Sequence, residues 1–125
     1  MVKLEEMLSA EEIFVSFEKY IKNNPDDQEA YMVRGILFAE YGCYKEALDS
    51  YNIYLENIPE DNNIWYYRGV ALKNLGCFDE ALENFSTCIA INPDNIDALY
   101  ERGTLLAELG RFDEAFNDIS ECVDL

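Results

Sequence analysis

The sequence contains no histidine, and this absence removes the commonest routes to catalysis. Without an imidazole there is no Ser–His or Cys–His nucleophile pair and no side chain that titrates near neutral pH as a base. The four cysteines lack both a histidine partner and the close Cys-x-x-Cys spacing of zinc sites. We therefore predict a protein that is not an enzyme and that uses no cofactor or metal.

Basic residues and long apolar runs are also scarce. Nine Lys and Arg stand against 26 Asp and Glu, which gives a formal net charge of −17. This charge repels phosphate backbones and anionic lipid surfaces. The first residues carry acids where a signal peptide would carry a basic patch and an apolar stretch. We expect a cytoplasmic protein that binds a protein or peptide partner of unknown identity, and neither nucleic acid nor membrane.

Proline and glycine are few, and their spacing is periodic. Pro25, Pro59 and Pro93 are 34 residues apart. The six glycines follow the same period, as Gly35, Gly69 and Gly103 and again as Gly42, Gly76 and Gly110. Because these two residue types constrain or free the backbone more than any others, one turn pattern must recur along the chain. The sequence therefore predicts a repeat protein.

The repeats define a single domain over 1–125, divided into a partial repeat at 1–27 and repeats at 28–61, 62–95 and 96–125. Within each repeat the apolar residues are spaced by 3, 4 and 7 positions, which is typical of helices. The glycine at position 15 predicts the end of a first helix in the left-handed conformation. The proline at position 32 ends a second helix, and the acidic and amide residues after it predict the cap of the next one.

The partial repeat follows the same phase. Ile13, Phe17, Tyr20 and Pro25 occupy positions 20, 24, 27 and 32. Residues 9–24 are therefore predicted to form a second helix, and Ser9 with Glu12 predicts a capping box at its start. Its partner helix has no room, because only residues 1–8 remain and they could supply only about two turns.

The cysteines are copies generated by the repeat. Cys43 and Cys77 share position 16, and Cys88 and Cys122 share position 27. Equivalent atoms of adjacent repeats lie roughly 8–10 Å apart, beyond the ~7 Å limit between the alpha carbons of a disulfide. We therefore predict four free thiols.

The pattern of large and small residues resembles that of the tetratricopeptide repeat family. Position 4 is large, position 8 is glycine, position 20 is alanine, position 24 is aromatic or aliphatic and position 32 is proline. The resemblance covers residues 28–125 and implies an all-α fold, a right-handed superhelical α-solenoid of antiparallel helix pairs. The chain departs from the family at position 7, often leucine there and here Arg34, Arg68 and Arg102, and at the large Tyr54 in position 27.

The resemblance also implies a concave groove, lined by the face of the first helices opposite positions 4, 8 and 11. This groove grades from apolar through tyrosines to acidic, so we predict a partner segment that is apolar or aromatic with Lys or Arg at one end. The predicted partner-binding residues are Met32, Ile36, Tyr66, Tyr67, Val70, Asp97, Tyr100, Glu101 and Glu108. Two simpler interpretations stay open: the acids form a solubility surface, or the tyrosines pack between neighbouring repeats.

One specialised partner class is excluded by charge. Chaperone-adaptor members of the family hold a carboxylate with a clamp of basic and amide side chains. The corresponding positions here carry Met32, Ile36, Tyr67, Asp97 and Glu101. Every clamp residue is missing and two are reversed in charge, so a carboxylate would be repelled.

A second function is also consistent with the sequence. No polar terminal helix covers the last predicted helix, whose apolar side would expose Phe116, Ile119 and Val123. Exposed apolar patches favour association. The alternative hypothesis is therefore a self-associating scaffold module that forms a homo-oligomer through its uncapped terminal helices.

Overall fold

A computed structural model describes the backbone of residues 2–124 and the side chains of residues 10–124. The described residues form seven α-helices and no strand, so the predicted all-α class is confirmed. The helices are α1 (Val2–Asn23), α2 (Gln28–Glu40), α3 (Tyr44–Asn57), α4 (Asn62–Asn74), α5 (Phe78–Ile91), α6 (Ile96–Glu108) and α7 (Phe112–Asp124). The most extensive contacts join α2 to α3, α4 to α5 and α6 to α7, which makes an α-solenoid of helix pairs.

The turn inside each pair depends on a glycine in the left-handed region. Gly42, Gly76 and Gly110 have φ angles of 79°, 81° and 81°. At the first of these turns Cys43 N–H donates to the Phe38 carbonyl at 2.8 Å and Gly42 N–H donates to the Ala39 carbonyl at 3.0 Å. These two bonds satisfy the last carbonyls of α2 in a Schellman motif. The predicted helix end at position 15 is confirmed.

The turns between pairs end on side-chain caps. Asp27, Asp61 and Asn95 precede α2, α4 and α6, and their side chains accept hydrogen bonds from the first-turn N–H groups at 3.0–3.3 Å. These bonds satisfy donors that have no partner within the helix. The predicted caps after each proline are therefore confirmed.

The glycines at position 8 allow the two helices of a pair to cross closely. A Cβ atom on Gly35 would lie 2.6 Å from the Tyr51 ring, and one on Gly69 would lie 2.6 Å from the Phe85 ring. Both rings are fully buried. Between the two helices of a pair, a large side chain of the second helix thus packs against the glycine backbone of the first.

The start of the chain differs from the prediction. Ser9 lies inside α1, which runs without interruption from Val2 to Asn23, so the predicted helix start at Ser9 is wrong. The segment contains no glycine or proline, and its Leu, Glu, Met and Lys residues favour helix strongly. With no turn residue before it, a capping signature does not begin a helix.

The arginines at position 7 join neighbouring repeats. Each one reaches a polar side chain of the second helix in its own repeat and another on the second helix before it. Arg102 forms the strongest set: its Nε and Nη2 donate to both Asp118 oxygens at 2.7 Å, and its Nη1 donates to Ser86 Oγ at 3.1 Å. The equivalent contacts are Arg34 to Ser50 and Glu18, and Arg68 to Asn84 and Asn52. The residue type that departs from the family pattern therefore links the repeats through side-chain hydrogen bonds.

The first helices lie on the inner side of the array. Within the described part of the chain, α2 contacts α4 and α4 contacts α6, whereas the second helices α3, α5 and α7 do not contact one another. Helices packed more closely on one side require the array to curve toward that side. The surface of α2, α4 and α6 is therefore the concave one.

Candidate functional site

The centre of the concave surface is a tyrosine pair on α4. The rings of Tyr66 and Tyr67 meet edge to face with centroids 5.5 Å apart. Tyr66 also lies 6.1 Å from the buried Phe85 ring and is half-buried, whereas Tyr67 is exposed. Tyr66 thus packs partly within its own repeat. Tyr67 presents its ring to solvent.

Tyr66 is also close to the acids of the next repeat. Burial and, to a lesser extent, the nearby carboxylates of Glu101 and Asp97 together raise its pKa to about 12. A neutral phenol beside carboxylates acts as a hydrogen-bond donor at neutral pH. The structure therefore brings three of the predicted site residues together at the junction of α4 and α6.

The charge of this junction differs from the sequence-based interpretation at one residue. Glu101 Oε2 accepts a hydrogen bond from Lys73 Nζ at 2.5 Å, in an ion pair that bridges α6 and α4. Glu101 therefore has a cationic partner in the chain itself. Asp97 and Glu108 are exposed carboxylates on the same helix, with Tyr100 exposed between them.

The apolar end of the surface lies on α2. Met32 and Ile36 are half-buried and pack against the core cluster that includes Tyr31 and Tyr51. Val70 on α4 is likewise half-buried and packs against the core cluster that spans its own pair and the next. These three residues offer only part of their surface to a partner. Partner binding by the nine predicted residues stays a prediction.

The sequence did not reveal the partners of Lys73 or of the three arginines at position 7. Lys73 belongs to position 12 of one repeat and Glu101 to position 6 of the next. The two become partners only because adjacent first helices touch. A search for opposite charges at those two positions would have found the pair once the stacking was known.

The cysteines occupy three kinds of environment, and all four are free thiols in the structure. Cys88 is fully buried, and burial raises the pKa of its thiol to about 11. Cys77 is exposed, while Cys43 and Cys122 are partly exposed. No cluster of three His, Cys, Asp or Glu side chains suited to a metal ion occurs among the described residues.

The last helix exposes an apolar surface. Phe112, Phe116 and Val123 of α7 are each more than two-thirds exposed. Ile119 differs from its neighbours because it is half-buried against Gly103, where a Cβ atom would lie 2.8 Å from its Cδ1. The exposed apolar surface of α7 therefore consists of Phe112, Phe116 and Val123.

The fold and the site together define a helical-repeat scaffold, and comparisons of sequence identify its family. Three tetratricopeptide repeat models match residues 16–62, 63–95 and 84–117. The chain belongs to the tetratricopeptide repeat family. It is a module for protein–protein interaction, and such repeats are typically not catalytic.

Solved structures of MamA proteins share the fold. A structure of MamA AMB-1 is 26% identical with a TM-score of 0.80, and the match covers 87% of this chain and 60% of that one. Another MamA crystal structure is 19% identical with a TM-score of 0.88, covering 98% and 71%. Residues 41 to the end of MamA from Desulfovibrio magneticus RS-1 are 18% identical with a TM-score of 0.88, covering 99% and 70%.

No curated protein matches the sequence. Among the described residues, no helix is both long enough and apolar enough to cross a membrane.

Proposed function

We propose that the concave surface binds a protein segment that combines apolar or aromatic side chains with Lys or Arg. The observation that carries this proposal is the combination of exposed Tyr67 and Tyr100 rings with the exposed carboxylates of Asp97 and Glu108. Tyrosines supply large contact area at low entropic cost, and carboxylates select and steer a cationic segment. The apolar surface of Met32 and Ile36 continues the same face along α2.

The Lys73–Glu101 pair changes how the charge should be tested. Replacing Glu101 by Lys would place two ammonium groups together at the junction of α4 and α6, so the repeat packing would change as well as the binding surface. Asp97 is the better position because it is exposed and outside that ion pair. Its replacement alters the surface charge while leaving the junction intact.

We expect Asp97→Lys to weaken binding of a peptide that combines aromatic residues with two or three Lys or Arg, mainly through a slower association rate. Rim charges act on encounter, so the effect should shrink as salt is added. Stopped-flow association at several salt concentrations measures this directly. Glu83→Lys on the exposed side of α5 is the matched control, because it makes the same change in net charge on the convex surface. Equal slowing in both variants would refute a local role for the concave acids.

Tyr100→Ala tests the aromatic part of the same surface. An aromatic anchor contributes mainly to residence time, so the dissociation rate of the peptide should rise while the association rate changes little. Tyr100 is exposed on α6, so the melting temperature should stay close to that of the parent chain. A peptide that leaves both proteins at the same rate would argue against the tyrosines as anchors.

A second candidate function is self-association through α7. Phe112, Phe116 and Val123 expose apolar surface on one helix, and apolar patches of this kind favour an interface between copies. This surface would join scaffolds end to end. It would leave the concave surface accessible to the partner proposed above.

We expect sedimentation over a hundredfold concentration range to reveal dimers or larger species, and Phe116→Glu to shift them toward monomer. Phe116 is a clean site for this test because its side chain is exposed, whereas Ile119 packs within its own pair. Val15→Glu places the same charge at an exposed apolar position on α1 and is the control. Monomer alone at every concentration would remove this second function.

A further inference from the structure

A groove with a volume of about 730 Å³ lies between α1 and α2. It is separate from the tyrosine and carboxylate surface described above, because its walls come from α1, the turn after α1 and the first half of α2. The lining residues are Glu12, Ile13, Ser16, Phe17, Tyr20, Asp27, Glu29, Ala30 and Val33. Most of the surface that lines it is apolar.

The repeats show what kind of element fits this groove. Ile13, Phe17 and Tyr20 hold positions 20, 24 and 27, which the first helix of a pair covers elsewhere in the chain. Ile13 is 39% exposed and Tyr20 is 46% exposed, whereas their counterparts in the next repeat, Ala47 and Tyr54, are 0% and 6% exposed. In that repeat α2 is the covering helix, and α4 covers α5 in the same way. The groove therefore lies where the first helix of a pair packs in the other repeats, and no helix of the described residues occupies it.

The wall of the groove is already arranged as it is in a covered repeat. Tyr20 donates a hydrogen bond to Asp27 Oδ2 at 2.5 Å, and its counterpart Tyr54 donates to Asp61 Oδ2 at 2.7 Å. Ser16 Oγ donates to the Glu12 carbonyl at 2.9 Å. Preorganised side chains lower the entropic cost of binding.

Two features of the covered repeats specify the occupant. A glycine of the first helix faces the position-24 side chain, as Gly35 faces Tyr51 and Gly69 faces Phe85, and Phe17 holds that position in the groove. The arginine just before this glycine donates to the position-23 side chain. Arg34 Nε donates to Ser50 Oγ at 2.9 Å, and Ser16 is the serine at that position in the groove.

The charge of the rim agrees with a basic occupant. Glu12, Asp27 and Glu29 line the groove, and no Lys or Arg lines it among the residues whose side chains are described. Three carboxylates around an apolar floor favour a segment that carries positive charge beside its apolar face.

The geometry points to a second binding site in this groove, occupied by an amphipathic helix of a partner protein that carries an Arg–Gly step in its middle. The helix lies as α2 lies on α3 and as α4 lies on α5. Its glycine faces Phe17, its arginine donates to Ser16 Oγ, and its apolar face covers Ile13 and Tyr20. This proposal does not depend on the function proposed for the concave surface.

The probe for the test is a fluorescent peptide with the sequence of residues 61–76, which is α4 with its cap and its C-terminal glycine. Fluorescence anisotropy should show saturable binding to the full chain. Changing the peptide arginine to leucine should weaken binding by about tenfold or more, because a hydrogen bond from a charged donor is lost. Changing the peptide glycine to leucine should weaken binding by a similar factor, because its side chain meets the Phe17 ring.

The glycine variant of the peptide separates fit from helix propensity. Leucine favours helix over glycine, so that variant is the more helical peptide in solution. If the more helical peptide binds more weakly, the cause must be poorer fit of its side chain in the groove. Equal or tighter binding would overturn the proposed close approach at Phe17.

Two variants of the protein test whether the peptide binds in this groove. Ser16→Trp should fill the groove and abolish peptide binding, whereas Val15→Trp, at an exposed position of α1 outside the groove, should bind as the parent does. Melting temperatures within about 2 °C of the parent would show that both variants are folded.

Binding that survives Ser16→Trp, or that is displaced by the basic peptide used for the concave surface, would overturn the proposal. Dimers of the parent chain that disappear in Ser16→Trp would also overturn it, because the occupant would then be a second copy.

Discussion

Phe85→Ala is expected to lower the free energy of unfolding by about 3–5 kcal/mol, the range for removing a fully buried aromatic side chain. The Phe85 ring is 0% exposed and fills the space against the bare backbone of Gly69. It also belongs to the cluster that joins α5 to α6. Denaturant unfolding followed by circular dichroism measures the change, and the midpoint should fall without loss of helical content in the folded baseline.

Phe116→Ala, measured at a protein concentration low enough to keep the chain monomeric, is the matched control, since it removes the same side chain from an exposed position of α7. Its effect should stay within about 0.5 kcal/mol. Comparing the two variants therefore separates the effect of burial on stability from the effect of removing a phenylalanine side chain as such. Similar losses in both would contradict the assignment of Phe85 to the core and Phe116 to the surface.

The close approach of Gly69 to Phe85 makes a second measurement possible. Gly69→Ala alone should cost about 1–3 kcal/mol, because the new methyl group would lie 2.6 Å from the ring. In the Phe85→Ala background the ring is gone, so the same substitution should cost less or should stabilise the helix. Simple additivity of the two changes would show that the two residues are not in contact.

Arg102→Met is expected to lower the free energy of unfolding by about 2–3 kcal/mol, because it leaves the buried carboxylate of Asp118 without its bidentate partner. Arg102 donates to both oxygens of Asp118, and their side chains are only 25% and 8% exposed. The hydrogen bond to Asp118 raises the pKa of the guanidinium, so the arginine is charged throughout the working pH range. Denaturant unfolding at neutral pH measures the loss.

Arg111→Met provides the matched control. Arg111 forms an ion pair with Glu114, but both side chains are more than half exposed, so the loss should be at most about 0.5 kcal/mol. The double variant Arg102→Met with Asp118→Leu should recover part of the stability lost in Arg102→Met, because no carboxylate then remains buried. An Arg102 variant as stable as the Arg111 variant would contradict a structural role for the position-7 arginines.

The local features of the fold could be predicted because they depend on backbone geometry close in sequence. Only glycine adopts φ near 80° without strain, so Gly42 and Gly76 determine where the first helices end. Asp61 and Asn95 sit three or fewer residues from the N–H groups that they cap. The period of 34 residues then repeats the same helix pair along the chain.

The candidate site was predicted less completely, because its properties depend on contacts between repeats. Lys73 and Glu101 are 28 residues apart, and nothing local predicts that they form an ion pair. Tyr66 and Tyr67 are adjacent in sequence, yet one packs toward Phe85 and the other faces solvent. Which side of a helix is covered depends on its neighbours in space.

The sequence by itself therefore determined the helix pairs, their turns and caps, the family and the acidic character of the chain. The tertiary structure decided that α1 is one continuous helix, that Arg102 joins the repeats through Asp118 and Ser86, and that Ile13 and Tyr20 line an open groove. The physical reason is the range of the interactions. Turns and caps are fixed by a few neighbouring residues, whereas burial, ion pairing and an unfilled helix position exist only after the repeats have stacked.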